Sequence, residues 1–113
     1  MKLIQSESDL KRAVEDYLTF KMNSGKLWFA RLNSGDFFVS DPAGLFRRRI
    51  KGCAAGTADF LVILNGQSIF IELKSLKGKQ KDNQKEFEVI VKSVGAKYLL
   101  VRDVEEVIKV VEG

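Results

Sequence analysis

The pair Asn65-Gly66 constrains the fold of this chain more than any other feature, because it joins two segments with strand-like patterns. Residues 60–64 are apolar and rich in β-branched side chains, and residues 67–71 continue in strand-like alternation into Glu72. Asn-Gly is a strong signal for a two-residue β-hairpin turn. A turn at 65–66 pairs residue 64 with residue 67, and the same register places Asp59 directly opposite Glu72.

Charged side chains at the open end of this predicted hairpin form a candidate metal site. Alternation along a strand puts Lys74 on the same face as Glu72. Two carboxylates that face each other across a ladder repel unless a cation lies between them. Because Mg²⁺ commonly binds one or two carboxylates together with substrate phosphate, we predict that Asp59 and Glu72 bind Mg²⁺ or Mn²⁺. The backbone carbonyl of Leu73 is a further candidate ligand.

These residue types suit the hydrolysis of a phosphodiester. The metal would act as a Lewis acid on the scissile phosphate and activate the attacking water. Lys74 would orient that water or stabilise the pentavalent transition state, and a role as general base is also open. The alternative is an exposed sheet face with ordinary charges. The apolar residues Leu61 and Ile63 would share that face, which argues for a site at the end of the sheet.

Two further polar residues are candidates for the same site. Glu7 lies one turn ahead of the apolar stripe of a predicted helix, and it is either an acid favoured by the helix N-terminus or a third acid over the metal. Gln84 opens a later helix. It is either a polar residue of the cap region or a site residue that reaches the metal water or a phosphate. Asp82 or Asn83 is the predicted cap of that helix.

The remaining pattern predicts alternating strands and helices. We expect a helix over 6–22 capped by Ser6, strands over 27–32, 36–40 and 97–101, a helix over 83–94 and a last short helix after Asp103. The segment 45–58 is either an ordered loop or a continuing strand. Strand 68–75, helix 83–94 and strand 97–101 form a βαβ unit, so the two strands should be parallel. The predicted buried face of helix 83–94 comprises Phe87, Ile90, Val91 and Val94.

Composition narrows the class of protein. With 113 residues and 45% hydrophobic residues, we expect one folded domain over 1–113. There is no histidine and one cysteine, Cys53, which excludes the usual zinc sites, histidine catalysis and an internal disulfide. No secretory signal or apolar run of membrane-spanning length is visible, so we expect a cytoplasmic protein without membrane contact. We predict no organic cofactor.

The net charge is +4, and its distribution points to a polyanionic partner. One basic cluster precedes Asp59 and the other follows Glu72, so both flank the predicted carboxylate pair. Positive charge around a metal site is what a phosphodiester substrate requires. The predicted nucleic-acid contacts in these clusters are Arg47, Arg48, Arg49, Lys51, Lys77, Lys79 and Lys81.

With these residues in view, the chain resembles the VRR-NUC group within the PD-(D/E)xK nuclease superfamily. The resemblance spans most of the chain and rests on segments that follow the family's order: 6–7, 31–35, 56–59, 70–74, 84–87, 95–96 and 101–102. It implies an α/β restriction endonuclease-like fold, with a mixed central β-sheet flanked by helices and a core of the αβββαβ type.

The resemblance also implies roles for individual residues. The family's metal ligands match Asp59 and Glu72, its catalytic lysine Lys74, its first-helix acid Glu7 and its helix glutamine Gln84. The segment 31–35 adds three nucleic-acid contacts, Arg31, Asn33 and Ser34. One departure is that the family commonly has proline before the aspartate, where this chain has Ala58. Proline supplies no ligand, so we expect looser positioning rather than loss of activity.

Small stand-alone members of the family are similar to junction-resolving enzymes and commonly come from phages. The resemblance therefore implies a metal-dependent DNA endonuclease that cuts Holliday junctions or other branched DNA as a homodimer, in the host cytoplasm if the chain is phage-encoded. The sequence places no dimer surface; the aromatic residues Phe37, Phe38 and Phe46 are candidates either for it or for the core. The alternatives are a non-catalytic nucleic-acid-binding module that keeps the fold and a structural subunit without affinity for DNA.

Overall fold

The computed structural model describes residues 6–32, 36–40, 42–44, 47–51 and 53–113, and within 36–40 and 47–51 it describes the backbone alone. In these ranges the helices and strands follow in the order α1 (Glu7–Asn23), β1 (Trp28–Arg31), β2 (Asp36–Ser40), β3 (Arg47–Lys51), β4 (Phe60–Leu64), β5 (Gln67–Leu73), α2 (Asp82–Ser93), β6 (Lys97–Val101) and α3 (Val104–Glu112).

The predicted hairpin forms β4 and β5 in the predicted register. The two strands are antiparallel, with Leu64 opposite Gln67 and Phe60 opposite Ile71. Asn65 and Gly66 have φ angles of 51° and 78°, the left-handed conformation that a type I′ turn requires at both central positions. The ladder therefore ends at Phe60, and Asp59 lies one residue beyond it.

The main sheet is mixed, in agreement with the expected core. Its strand order is β1-β4-β5-β6. The first three strands are antiparallel neighbours, whereas β6 runs parallel to β5, as the βαβ pattern predicts. Since β1 pairs with β4 and not with the strand that follows it in the chain, the elements that build this sheet follow the αβββαβ order, with β2 and β3 inserted after β1.

The inserted strands answer the question that the pattern left open for 45–58. Residues 47–51 form a strand that pairs antiparallel with 36–40, with Asp36 opposite Lys51 and Ser40 opposite Arg47. Residues 53–58 lead from this ribbon to Asp59 as a loop with one turn. Asn33, Ser34 and Phe46, three residues with predicted roles, lie outside the described residues.

The apolar core lies on the face of the sheet that α1 and α3 cover. Leu10, Val14 and Leu18 of α1 are fully buried against alternate residues of β4 and β5. Ser6 caps α1 as predicted, because its hydroxyl oxygen accepts a hydrogen bond from Asp9 N at 3.1 Å. Val107 and Val111 of α3 complete the cluster.

Helix α2 covers the opposite face with a smaller apolar cluster. Val91 is buried there, and the ring of Phe87 meets the ring of Phe70 at a centroid distance of 5.1 Å. The prediction that Ile90 and Val94 share this buried face is wrong, because they are 60% and 78% exposed. A short helix on the edge half of a four-stranded sheet buries a narrow stripe of its surface, and these two residues lie outside that stripe.

The start of α2 also differs from the prediction. The capping position is Lys81, and neither Asp82 nor Asn83 occupies it. Its end agrees, since Gly95 follows the last turn with a φ of 96°. Within the described ranges, no helix combines the length and the apolar character that crossing a membrane requires.

Candidate metal site

Asp59 lies where three strands end. Its backbone N–H donates to Ile71 O at 3.0 Å, and its carbonyl oxygen accepts from Leu32 N at 2.8 Å. Its side chain adds a further bond to β5, because Oδ2 accepts a hydrogen bond from Leu73 N at 2.8 Å. These bonds hold the carboxylate next to β5 and leave Oδ1 for other partners.

Glu72 is the buried acid of the site. It lies on β5, on the face that α2 covers, and is 3% exposed. Its Oε1 accepts a hydrogen bond from Gln84 Nε2 at 2.8 Å and lies 3.5 Å from Lys74 Nζ. Among the described residues, its Oε2 has no hydrogen-bond partner although it is buried. A buried oxygen without a partner is costly, and such groups call for a functional explanation.

The pKa of Glu72 is shifted by the charged groups around it. Burial and, next in importance, the negative charge of Asp59 together raise the pKa of Glu72 to about 7, against the opposing effect of Lys74. The charge of Glu7 also raises this pKa, as the weakest of these causes. The predicted repulsion between facing carboxylates is therefore present, and a cation between Asp59 and Glu72 would relieve it.

The donor set fits a hard divalent cation with few protein ligands. Within the described ranges, no group of three Asp, Glu or Cys side chains lies close enough together to hold a metal ion. Glu7, the exposed first residue of α1, therefore acts on Glu72 through its charge and not as a third member of such a group. Two carboxylates, one of them with an unpartnered buried oxygen, match the way Mg²⁺ is usually held in phosphate-processing sites.

Lys74 follows β5 directly and is 7% exposed. Its backbone N–H donates to Val101 O at 3.0 Å, which fixes the residue against the end of β6. Because Nζ lies 3.5 Å from Glu72 Oε1, the ammonium is anchored at the site and does not extend into solvent.

Gln84 makes one contact at the helix cap and one with the buried acid of the candidate site. Its Oε1 accepts a hydrogen bond from the backbone N–H of Lys81 at 2.8 Å, which is a capping interaction at the start of α2. Its Nε2 donates to Glu72 Oε1 at 2.8 Å, which places it in the site. One amide therefore joins the first turn of the helix to the buried acid.

Gly56 brings the loop before Asp59 against the start of α2. It has a φ of 91°, and a Cβ atom there would lie 2.6 Å from the carbonyl oxygen of Asn83. No side chain fits this approach without a shift of the backbone. Ala58, which stands where the family that the sequence resembles commonly has proline, is buried and packs in one cluster with Val91 of α2 and Tyr98 of β6.

Sequence reasoning missed two residues that contact the site or its flanking loop. Lys11 Nζ lies 3.4 Å from Asp59 Oδ1, and its position four residues after Glu7 was the available signal. Arg102 Nη1 donates to three carbonyl oxygens of the loop after Lys74, namely those of Ser75, Leu76 and Gly78. No local pattern reports this contact, because it joins parts of the chain about 25 residues apart.

The predicted nucleic-acid contacts are only partly described. Lys77, Lys79 and Lys81 are exposed in the loop between β5 and α2. Arg31 is exposed on the edge strand β1, where its Nη1 lies 3.7 Å from Glu15 Oε2. The structure describes only the backbone of the predicted contacts on β3, which are Arg47, Arg48, Arg49 and Lys51. Asn33 and Ser34 lie outside the described residues.

Comparison with known proteins supports the fold. The sequence matches no protein-family model and no curated protein. Among solved structures it is similar to a chain described as a VRR_NUC domain, with 20% sequence identity and a TM-score of 0.57. The match covers 88% of this chain and 91% of that chain. The chain therefore has the fold of a VRR_NUC domain, and the predicted restriction endonuclease-like α/β fold is confirmed.

Proposed function

We propose that the chain is a VRR-NUC nuclease, a divalent-metal-dependent enzyme that hydrolyses phosphodiester bonds within DNA. The observation that carries the proposal is the Glu72 carboxylate. It is 3% exposed, lies beside Asp59, Lys74 and Gln84, and has one oxygen without a hydrogen-bond partner among the described residues. Ionisable groups whose pKa is strongly shifted by burial and by a neighbouring charge cluster at functional sites.

Asp59 and Glu72 are the residues that would hold the cation, with the Leu73 carbonyl as a further ligand. A bound Mg²⁺ or Mn²⁺ would act as a Lewis acid on the scissile phosphate and activate the attacking water. Because Asp59 Oδ2 accepts the hydrogen bond from Leu73 N, Oδ1, which lies 3.4 Å from Lys11 Nζ, is the oxygen that would bind the cation. The bond from Gln84 to Glu72 Oε1 likewise leaves Oε2 for it.

Lys74 supplies the positive charge that the pentavalent transition state requires. Its backbone is fixed by Val101 and its ammonium by Glu72, so the charge is oriented before the substrate binds. Preorganised charge of this kind stabilises a transition state more than a mobile charge in water does. Glu7 adds negative charge near Glu72 and would bind the cation through water rather than directly.

The substrate we propose is branched DNA, cut by a homodimer. The exposed lysines at 77, 79 and 81 and the exposed Arg31 supply contacts to phosphates, and the basic residues of β3, Asn33 and Ser34 stay predictions of the same kind. Two-fold symmetry would place two sites against two strands of a junction or duplex. We further propose that residues 1–113 act as one domain in the cytoplasm, where Cys53 stays reduced.

Cleavage assays on linear, flapped and four-way DNA, with Mg²⁺, with Mn²⁺ and with EDTA, test the proposal. We expect cutting with either metal and none with EDTA. The variants Asp59→Asn, Glu72→Gln and Lys74→Met should each lower the cleavage rate by at least about 100-fold, because each removes a group that acts on the reacting phosphate.

Glu105→Gln is the matched control, since Glu105 is an exposed acid on α3. It should cut like the wild type, and circular dichroism should show that all variants are folded. Undiminished cutting by Glu72→Gln would overturn the assignment of the site. Metal-independent DNA binding without any cleavage, unchanged by Lys74→Met, would instead support the non-catalytic module.

A further inference from the structure

The loop between β5 and α2 is wrapped around one guanidinium group. Arg102, the residue after β6, donates from Nη1 to Ser75 O at 2.6 Å, to Gly78 O at 2.7 Å and, more weakly, to Leu76 O at 3.3 Å. The backbone N–H of Gly78 also donates to Ser75 O, at 3.1 Å, and closes a tight turn over the same group. The carbonyl oxygens of this turn therefore point inward at a positive charge.

Both ends of the loop are fixed as well. At its start, Lys74 N donates to Val101 O, and at its end the backbone of Lys81 donates to Gln84. Just before that end, Gln80 Nε2 donates to Tyr98 Oη and Glu88 Oε1, each at 3.0 Å. The loop is thus held at its beginning, middle and end by contacts to β6 and α2.

The backbone of Arg102 is fixed by α3. Its backbone N–H donates to Glu106 Oε2 at 3.1 Å, in the first turn of α3. Arg102 therefore joins the start of α3, through its backbone, to the surface loop, through its guanidinium. An arginine suits this position because the two hydrogens of Nη1 lie in the plane of the rigid guanidinium and point in fixed directions, whereas a lysine ammonium is a point charge on a flexible stem.

The lysine side chains of the loop, in contrast to that of Gln80, are exposed to solvent. Lys77, Lys79 and Lys81 are exposed, and no acidic residue occurs between Lys74 and Asp82. Because the loop begins at Lys74, these three charges lie on the chain that leads directly out of the site. A cationic segment of fixed shape beside the reacting groups is suited to the phosphates of a bound strand.

We propose that Arg102 is a positioning residue that preforms the loop 75–81 as a rigid binding element for the sugar-phosphate backbone of the strand being cut. The inference rests on the proposed nuclease function and specifies which segment grips the substrate. A preformed loop binds more tightly than a mobile one because it need not be ordered when the DNA arrives. Arg102 itself stays beneath the loop and does not touch the DNA.

The first test is DNA binding by Arg102→Lys in EDTA, with fluorescent four-way DNA as the probe. The variant keeps the charge and loses the fixed set of donors. We expect about tenfold weaker binding and a smaller salt dependence, with the slope of log K against log salt reduced by about 1 to 2, since each lost phosphate contact removes about 0.9. Arg12→Lys, the same change at an exposed position of α1, should bind like the wild type.

A double-mutant cycle separates positioning from a general loss of stability. Lys77→Ala combined with Lys79→Ala should weaken binding strongly in the wild-type chain and clearly less in the Arg102→Lys chain, because displaced lysines have less to lose. Equal weakening in both backgrounds would overturn the proposal, and so would unchanged affinity and salt slope in Arg102→Lys. A wild-type chain that binds no DNA would instead refute the proposed function.

A second measurement needs no variant. If the loop is preformed, the Gly78 amide should exchange slowly with solvent in the free protein, and DNA should add little protection. Rapid exchange in the free protein followed by protection on DNA binding would mean that the DNA orders the loop, and the proposal would fail even if Arg102→Lys could not be purified in folded form.

Discussion

The carboxyl group of Glu72 is held in surroundings that disfavour its charge, and this makes it sensitive to pH. Burial, with Asp59 next in importance, raises the pKa of Glu72 to about 7, well above the value of an unfolded glutamate. Between pH 4.5 and 7 the folded chain therefore binds more protons at this residue than the unfolded chain. Its contribution to stability is present below this window and is lost as the pH rises through it.

We therefore expect the free energy of unfolding, measured by urea denaturation in EDTA, to decline by up to about 3 kcal/mol more in the wild type than in Glu72→Gln between pH 4.5 and 8. A divalent cation competes with the proton, so Mg²⁺ should raise the melting temperature of the wild type more at pH 8 than at pH 6. Parallel pH profiles for the two proteins would contradict a raised pKa at Glu72.

At this scale the sequence predicted which residues lie together in the candidate site better than it predicted their contacts. Asp59, Glu72 and Lys74 follow from a hairpin register that depends on one turn, and the structure has that register. Lys11 and Arg102 could not be found in the same way. Their partners lie on other elements, and a lysine or arginine in a helix or after a strand is ordinarily a solvated surface residue.

The contact between the loop 53–58 and the start of α2 depends on Gly56. Gly56 and Gly25 have similar φ angles, 91° and 80°, but a Cβ atom at Gly25 would meet nothing within 4 Å, whereas at Gly56 it would lie 2.6 Å from Asn83 O. Replacement by alanine costs about 1–2 kcal/mol for the left-handed conformation alone, and overpacking adds a comparable amount.

We expect Gly25→Ala to lower the free energy of unfolding by about 1–2 kcal/mol and Gly56→Ala by about 2–4 kcal/mol, as measured by urea denaturation. Gly56→Ala should also slow DNA cleavage, because the start of α2 must shift and carries Gln84 with it. Equal losses of stability in the two variants would show that the close approach to Asn83 has no energetic weight.

The boundaries of α1, the β4–β5 hairpin and α3 were predictable because their signals are local: Ser6 as a cap, Asn65-Gly66 as a turn and Asp103 as a cap. The exposed face of α2 was not. Its apolar positions are compatible with burial all along the helix, and which of them are covered depends on the width of the sheet beneath. The cap at Lys81 was missed because the hydrogen-bond acceptor is the side chain of Gln84, three residues later.

At the scale of the whole molecule, helices cover both faces of the main sheet. Helices α1 and α3 pack over the larger apolar cluster, and α2 packs over the smaller one. The mixed sheet follows from the hairpin and the βαβ pattern, both of which join neighbours in sequence. The pairing of β1 with β4 was not predictable, because the signal for antiparallel pairing is a short turn and these strands have another strand pair between them.

We predict that the molecule is a homodimer in solution, because resolving the proposed substrate, a four-way junction, requires cuts in two of its strands and therefore two sites. Light scattering at micromolar concentration should give twice the mass of the chain, with Mg²⁺ absent and the protein free of DNA. One four-way junction should then bind two chains. A single-chain mass for the free protein, together with one chain per junction, would contradict the symmetric arrangement.

Strands β2 and β3 are inserted in the chain between β1 and β4, which are neighbours in the main sheet. The inserted segment can therefore vary without a change in the pairing of the main sheet. Arg31 and Phe60 are partners in the ladder, so the chain leaves the sheet after one and returns to it at the other. The entropy of closing such an excursion grows only slowly with its length. The excursion can therefore be shortened, lengthened or exchanged while the ladder continues to hold Asp59 in the same place.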